Sequence, residues 1–258
     1  MKGYCVSLGT YFTESPLPDR FALAVDAGFE AVELALPYFE TAEKLSRCRQ
    51  ASDVPVVLFT APLGDFMEGG EGIASVPGRQ AEFQDSVSIA LEYADALSAN
   101  YVQFVAGRCI DPSSSVRERY AETYRDNLAY AVEAFSSRAT EILIEPINSL
   151  KFEDFLIDFP SKARKLETGL SLVFDTVHLA AMGVELAEEW RLNSGDYAHV
   201  QIADLPDRAF PGTGVLNFPD LMQAIEESSY AGWIGSECWP QGAEQSTRSA
   251  LESALSIG

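Results

Sequence analysis

Short apolar segments alternate with longer amphipathic segments along all 258 residues, and this alternation restricts the fold more than any other feature of the sequence. Short apolar runs suit buried strands, whereas apolar positions that recur every three to four residues suit helices. The pattern predicts eight strands, at residues 4–8, 31–34, 54–60, 101–105, 141–145, 170–175, 199–202 and 232–237. It predicts eight helices, at residues 18–27, 42–51, 79–98, 116–137, 160–166, 186–192, 218–228 and 247–256.

A strict alternation of strands and helices is typical of a parallel sheet, because each helix carries the chain back to the start of the next strand. Eight such units close into a (β/α)8 TIM barrel, which we predict as a single domain over residues 1–258. A doubly wound open sheet is the structural alternative. No G-x-G-x-x-G sequence follows the first predicted strand, so a dinucleotide site at that position is not supported.

The charge balance argues against nucleic acid as a partner. Eighteen Lys and Arg residues stand against 39 Asp and Glu residues, which gives a formal net charge of -21. A field of this sign repels phosphate groups, and the sequence contains no local cluster of basic residues that would oppose it. We therefore expect a small-molecule substrate rather than DNA or RNA.

The cysteines and the N-terminal segment indicate a cytoplasmic protein. The four cysteines lie far apart in the sequence, without a C-x-x-C pair, as expected in a reducing compartment. The first eight residues contain one Lys and no long apolar segment, so neither a signal peptide nor an anchor is predicted. No apolar stretch approaches the roughly 18 residues of a spanning helix, and we expect no association with a membrane.

Side chains with oxygen ligands lie at the ends of four consecutive predicted strands. Glu145 ends the fifth strand, Asp175 the sixth and Glu237 the eighth, and Gln201 lies in the seventh. The carboxyl ends of barrel strands meet at the face that holds the active site. Three carboxylates there repel one another unless they share a cation or a proton. Because all four ligand atoms are oxygens, the sequence predicts a hard divalent cation, Mg²⁺ or Mn²⁺.

The chain contains two histidines, and we predict different roles for them. His178 follows Asp175 by three residues, in the predicted loop after the sixth strand, where it is placed to contact a substrate hydroxyl. His199 lies two residues before Gln201 and therefore on the same face of its strand. We expect His199 to be a structural group in the interior of the barrel.

Several motifs resemble those of hydroxypyruvate isomerases, within the superfamily of xylose isomerase-like sugar isomerases and epimerases. They are E-P-I-N at residues 145–148, H-V-Q-I-A-D at 199–204, P-G-T-G at 211–214 and G-W-I-G at 232–235. The similarity extends over nearly the whole chain. The H-x-Q-I-A-D and P-G-T-G motifs also occur together at the spacing of the family.

The resemblance implies a mechanism for the predicted site. It implies that Glu145, Asp175, Gln201 and Glu237 bind the metal ion, and that Glu145 and Glu237 also form the acid/base pair. A chelated hydroxy-carbonyl compound has a more acidic C–H bond, because the metal stabilises the enediolate. One glutamate then removes this proton and the other returns a proton at the neighbouring carbon.

The implied substrate is a small hydroxy-oxo acid of the hydroxypyruvate or tartronate semialdehyde type, which an intramolecular oxidoreductase would interconvert. The residues that we expect to hold substrate oxygens are His178, Arg208 and Arg108. The sequence leaves a homo-oligomer open.

Three positions depart from the family pattern and bear on the substrate. Phe59, Glu71 and Trp239 stand where that pattern has His, Arg and Lys. Basic groups favour an anionic substrate, so their absence indicates a larger or less charged compound that stacks on Phe59 or Trp239. The alternatives are an isomerase or epimerase of a neutral ketose or a four-carbon oxo-acid, and a non-catalytic barrel that binds a ligand. An apurinic-site endonuclease shares this barrel, but two histidines and a charge of -21 argue against it.

Overall fold

Eight parallel strands form a closed barrel in the computed structural model, which describes residues 1–256. The strands are β1 (Gly3–Ser7), β2 (Ala31–Leu34), β3 (Val56–Thr60), β4 (Tyr101–Gln103), β5 (Glu141–Ile144), β6 (Ser171–Asp175), β7 (Tyr197–Ile202) and β8 (Trp233–Ser236). Consecutive strands are neighbours, and β8 closes the barrel on β1. The predicted (β/α)8 fold is confirmed, and the ends of every predicted strand agree within two residues. The last two residues of the predicted domain lie outside the described residues.

Helices cover the outside of the barrel. Those described are α1 (Leu17–Asp26), α2 (Ala42–Ser52), α3 (Gln80–Leu97), α4 (Ser114–Phe135), α5 (Pro160–Arg164), α6 (Thr176–Ala181), α7 (Leu186–Asn193), α8 (Phe218–Glu227) and α9 (Arg248–Leu255). All eight predicted helices are present, and α6 is an additional one. Throughout residues 1–256, no helix has both the length and the hydropathy needed to cross a bilayer.

Helix α6 begins directly at the end of β6, because the Asp175 side chain caps it. The Asp175 Oδ1 atom accepts a hydrogen bond of 2.8 Å from the backbone N–H of His178. His178 therefore lies in a short helix, which corrects the prediction of a loop at this position. The cap also fixes His178 beside the carboxylate group of Asp175.

Two apolar layers hold the barrel together. The larger layer lies between the strands and the helices, and a smaller cluster that includes Cys5, Leu58 and Leu143 fills the interior. Successive residues of a strand face opposite sides, so Leu58 of β3 points inward and Phe59 points outward. Phe59 is fully buried in the outer layer. The expectation that a substrate stacks on Phe59 is therefore wrong.

Candidate active site

A cavity of about 300 Å³ opens at the carboxyl ends of the strands, where barrel enzymes hold their active sites. Residues that follow each of the eight strands contribute to its lining. One part of the lining is apolar and includes Leu36, Leu63, Phe66, Met67, Phe152 and Trp239. The charged or titratable groups of the lining are Glu145, Lys151, His178, Arg208 and Glu237.

An arginine lies among the three predicted carboxylates. The Arg208 Nη1 atom is 2.9 Å from Asp175 Oδ2 and 3.1 Å from Glu237 Oε2. Glu145 and Asp175 are almost completely buried, and the Glu237 side chain is 19% exposed. The structure therefore brings the three acids together at one end of the barrel, and Arg208 compensates part of their mutual repulsion.

The surroundings separate the pKa values of the three acids. Burial raises the pKa of Glu145 well above its usual range, and the charges of Asp175 and Glu237 raise it further. Burial likewise raises the pKa of Glu237 to about 7, although the Arg208 charge opposes this effect. Burial would also raise the pKa of Asp175, but the charge of Arg208 and contacts with His178 hold it below its ordinary value. Two acids poised to carry a proton thus lie beside one that stays ionised, a pattern typical of acid/base sites.

His178 is held as a neutral ring. Its Nδ1 atom is 2.7 Å from the side-chain nitrogen of Asn148, and its Nε2 atom is 2.9 Å from Arg208 Nη2. Burial lowers the pKa of His178 to about 4, and the positive charge of Arg208 contributes to this. The Nε2 atom is 3.7 Å from Glu145 Oε1, so the imidazole is part of the same cluster. The prediction that His178 faces the substrate stays open, and its place in the cavity lining agrees with it.

Arg208 owes its position to a buried aspartate in the loop after β7. The carboxylate of Asp204 accepts hydrogen bonds from five backbone N–H groups, those of Leu205, Gly212, Gly214, Val215 and Leu216. At Gly214, a Cβ atom would lie 2.6 Å from Asp204 Oδ1, so a larger residue would displace this turn. The H-x-Q-I-A-D and P-G-T-G motifs therefore occur together because the first one supplies the acceptor for the second.

The donor atoms at this end of the barrel fit a divalent cation. Glu145, Asp175 and His178 each offer a ligand atom within 4.8 Å of the others. The Gln201 Oε1 atom is buried and has no hydrogen-bond partner among residues 1–256. Gln201 pairs in register with Asp175 across β6 and β7, so this free oxygen belongs to the same group of strands. Carboxylate and amide oxygens are ligands that Mg²⁺ and Mn²⁺ prefer.

Two residues singled out from the sequence lie away from the acids. The Arg108 guanidinium covers the ring of Phe66 at 4.7 Å and donates to the carbonyl oxygen of Gly70. Phe66 lines the cavity and Arg108 does not. Glu71 accepts hydrogen bonds from the Tyr120 hydroxyl and the Ile110 backbone N–H. The substrate contact expected of Arg108 therefore finds no support in the position of its side chain.

Two polar residues of this region were not predicted from the sequence. Lys151 lines the cavity, and its backbone N–H donates to the Asn148 side chain. Glu33 lies inside the barrel, where it contacts both Gln201 and His199. The position of His199 confirms its predicted place in the interior. One signal for Glu33 was present, because an acid between Val32 and Leu34 interrupts an otherwise apolar strand.

Comparisons with known proteins agree with this architecture. The family model of the xylose isomerase-like TIM barrel matches residues 21–256. The 2-oxo-tetronate isomerase of Cupriavidus necator is 32% identical over 93% of this chain and 94% of its own length. The hydroxypyruvate isomerase of Escherichia coli is 34% identical over 93% of this chain and 95% of its own length. A crystal structure from Brucella melitensis, described as an AP endonuclease of family 2, is 31% identical, with a TM-score of 0.90 over 98% of this chain and 99% of that one.

A closed parallel barrel with buried acids at the carboxyl ends of its strands is typical of enzymes that hold their active sites at that face. Within that class, the chain belongs to the xylose isomerase-like TIM barrel family. The predicted resemblance to hydroxypyruvate isomerases is confirmed, as is the expectation of an isomerase of the intramolecular oxidoreductase type.

We expect the metal-free protein to lose stability as the pH rises from about 5 to 8. The pKa of Glu237 is raised from its ordinary value of 4.5 to about 7. The Glu237 carboxyl group makes its full contribution to stability below pH 4.5, where it is protonated in both the folded and the unfolded protein. This contribution is lost as the pH rises through 7. This shift corresponds to at most roughly 3 kcal/mol.

Urea unfolding with chelator at pH 5 and pH 8 measures this loss in the parent and in Glu237→Gln. The glutamine variant should lose clearly less stability between the two pH values. An equal loss in both proteins would show that Glu237 is not protonated in the folded state.

Proposed function

We propose that the chain is a metal-dependent isomerase of small hydroxy-oxo acids, which moves a proton between two adjacent carbons. The observation that carries this proposal is the pair Glu145 and Glu237, two acids with raised pKa values on one cavity. A carboxyl group whose pKa is raised by its surroundings is better suited to proton transfer near neutral pH than an ordinary one. The named relatives, a hydroxypyruvate isomerase and a 2-oxo-tetronate isomerase, support the choice of substrate class.

The proposed reaction needs one proton acceptor and one proton donor. Glu145, Asp175, Gln201 and Glu237 would hold a divalent cation, which would supply stabilisation of negative charge on the substrate oxygens. One of the two glutamates takes the proton from the hydroxyl-bearing carbon, which leaves an enediolate. The other glutamate delivers a proton to the former carbonyl carbon, and a hydroxyl proton moves to the neighbouring oxygen. The carbonyl group thereby moves to the neighbouring carbon, from C2 to C3 of the oxo-acid, without a net change in protons or electrons.

Two groups beside the glutamates set the charge of the site. The His178 ring is neutral at pH 7 because burial and Arg208 lower its pKa, so it adds no positive charge next to the acids. Arg208 keeps Asp175 ionised and available to a cation. The apolar side chains of the lining limit access of water to the enediolate.

The cavity has room for a substrate of more than three carbons, since its volume is about 300 Å³. The Trp239 side chain lines the cavity and is 45% exposed, so it offers a surface for the distal part of a longer substrate. We therefore propose a four-carbon 2-oxo acid, instead of hydroxypyruvate, as the preferred substrate.

A substrate panel tests the proposal. kcat/KM is measured for hydroxypyruvate, for four-carbon 2-oxo acids and for neutral ketoses, at fixed metal concentration and ionic strength. A four-carbon acid should exceed hydroxypyruvate by more than about tenfold, or roughly 1.4 kcal/mol. A neutral ketose as the best substrate would support the alternative of a sugar isomerase or epimerase. If metal-loaded protein turns over none of these compounds, the result would support the alternative of a non-catalytic barrel that binds a ligand.

Lys151 is expected to bind the substrate carboxylate. It is the lysine of the cavity lining, whereas the charge of Arg208 is already shared by Asp175 and Glu237. Losing a charge-assisted hydrogen bond costs roughly 1.5–3 kcal/mol, so Lys151→Met should lower kcat/KM for oxo-acids by about 10- to 100-fold. The main change should be in KM.

The matched control for this variant is Lys165→Met, which removes an exposed lysine that follows α5. It should leave kcat/KM unchanged. Neutral compounds that turn over should be equally good substrates for the parent and Lys151→Met. If Lys151→Met handles oxo-acids as well as the parent does, the carboxylate is bound elsewhere.

A further inference from the structure

A buried glutamate below the acidic cluster contacts one of the proposed metal ligands. Glu33 of β2 is 2% exposed and lies inside the barrel. Its Oε1 atom is 2.8 Å from His199 Nε2 and 3.1 Å from Cys5 Sγ. Its Oε2 atom accepts a hydrogen bond of 2.7 Å from Gln201 Nε2. Four polar side chains that are nearly or fully buried thus form one network that crosses the barrel.

Strand β8, which is separated from β2 by β1 alone, leaves room for this carboxylate. Gly235 of β8 pairs in register with Gln201 of β7. A Cβ atom at Gly235 would lie 1.6 Å from Glu33 Oε1 and 3.1 Å from His199 Nε2. Any other residue at Gly235 would therefore displace the Glu33 carboxylate, so the space that it occupies depends on this glycine.

Glu33 fixes the orientation of the side-chain amide group of Gln201. The oxygen and nitrogen of an amide have nearly the same size, and a half-turn of the group exchanges them. The Gln201 side-chain nitrogen, which only donates hydrogen bonds, lies 2.7 Å from the Glu33 Oε2 atom, which accepts. The reversed amide would bring two oxygens together at that distance. The Oε1 atom of Gln201 is consequently directed away from Glu33, and it is the buried oxygen without a partner among residues 1–256.

We propose that Glu33 is a positioning residue that directs the Gln201 oxygen toward the divalent cation. This inference rests on the proposed function, because it concerns the cation-binding state of the same site. Glu33 does not touch the cation or the substrate and acts through the Gln201 amide. Partners that orient a metal ligand typically change metal affinity by 10- to 100-fold when they are replaced.

The test measures Mn²⁺ binding to full-length protein by titration calorimetry, independent of turnover. Glu33→Gln presents an amide to the Gln201 amide, so the orientation is no longer fixed, and we expect Mn²⁺ affinity to fall by about 10- to 100-fold. The control is Cys5→Ala, which removes a different contact of Glu33 and should leave affinity within about twofold of the parent. Equal affinity in Glu33→Gln and the parent would overturn the inference.

The double variant Glu33→Gln with Gln201→Glu separates positioning from a general loss of core stability. In this exchange the amide at position 33 donates to the carboxylate at position 201, and the network keeps its charge and its hydrogen bonds. The second carboxylate oxygen at position 201 again faces the cation. We expect the double variant to regain at least the Mn²⁺ affinity of the parent.

A folded double variant that binds Mn²⁺ as weakly as Glu33→Gln would overturn the inference. If Glu33→Gln does not fold, the comparison is between the double variant and the parent, and weak binding by the folded double variant is again the contradicting result. If the parent protein binds no Mn²⁺, this result would instead contradict the proposed metal-dependent function.

Discussion

Replacing either Glu145 or Glu237 by glutamine is expected to lower kcat for the preferred oxo-acid by roughly 10²- to 10⁴-fold. Glutamine preserves the volume of the side chain and one ligand oxygen, but it does not take up or release a proton near neutral pH. Burial raises the pKa of both glutamates, which makes each of them able to hold the transferred proton. The two variants should therefore be similarly inactive, since one acid alone completes only half of the transfer.

Metal content has to be measured in the same samples, because both glutamates are also proposed metal ligands. The matched control is Glu141→Gln, which changes an exposed glutamate at the opposite end of β5 from Glu145. This variant should retain the parent kcat. If Glu145→Gln or Glu237→Gln turns over near the parent rate with metal bound, the residue in question is not an acid/base group.

Removing divalent cations is expected to lower turnover by more than about 100-fold, and adding Mg²⁺ or Mn²⁺ should restore it. Lewis-acid stabilisation of a developing oxyanion contributes several kcal/mol, and each 1.4 kcal/mol corresponds to roughly a tenfold change in rate. The buried acids at the mouth supply the physical reason, because their mutual repulsion is relieved by a bound cation. Chelator treatment, followed by dialysis and assays with each metal, measures the effect.

Thermal unfolding measures the binding of the divalent cation independently of turnover. A cation at about 100 times its Kd stabilises the folded state by about 2.7 kcal/mol, so the melting temperature should rise with Mg²⁺ or Mn²⁺. The rise should be smaller in Gln201→Ala, which removes the unpartnered amide oxygen. Full activity in metal-free protein would contradict metal dependence.

The barrel could be predicted from the sequence because its signals are local. Each strand is a short apolar segment, and each helix has an apolar side that repeats every three to four residues. The convergence of Glu145, Asp175 and Glu237 could be predicted as well, since the ends of parallel strands meet at one face of a barrel. The motif resemblance added Arg208, whose place depends on the loop that Asp204 organises.

The features that were missed depend on three-dimensional contacts. Helix α6 was missed because it is six residues long and begins at a cap formed by a residue already assigned to a strand. Glu33 was missed because its partners His199 and Gln201 lie on β7, far away in the sequence. The orientation of Arg108 follows from its contact with the Phe66 ring, which belongs to another loop. The sequence pattern does not indicate the direction in which such a side chain points from its loop.

Proton NMR in D₂O tests the central claim, proton transfer between Glu145 and Glu237, most directly. Metal-loaded protein is incubated with hydroxypyruvate and with four-carbon 2-oxo acids, and a sample without protein gives the uncatalysed background. We expect hydroxypyruvate to give the aldehyde signal of its isomer and a four-carbon 2-oxo acid to give the signals of its 3-oxo isomer, each with deuterium at the carbon that accepts the proton. Neither isomer should form in Glu145→Gln or Glu237→Gln with metal bound. Oxo-acids that stay unchanged and take up no deuterium in the presence of metal-loaded parent protein would contradict the account.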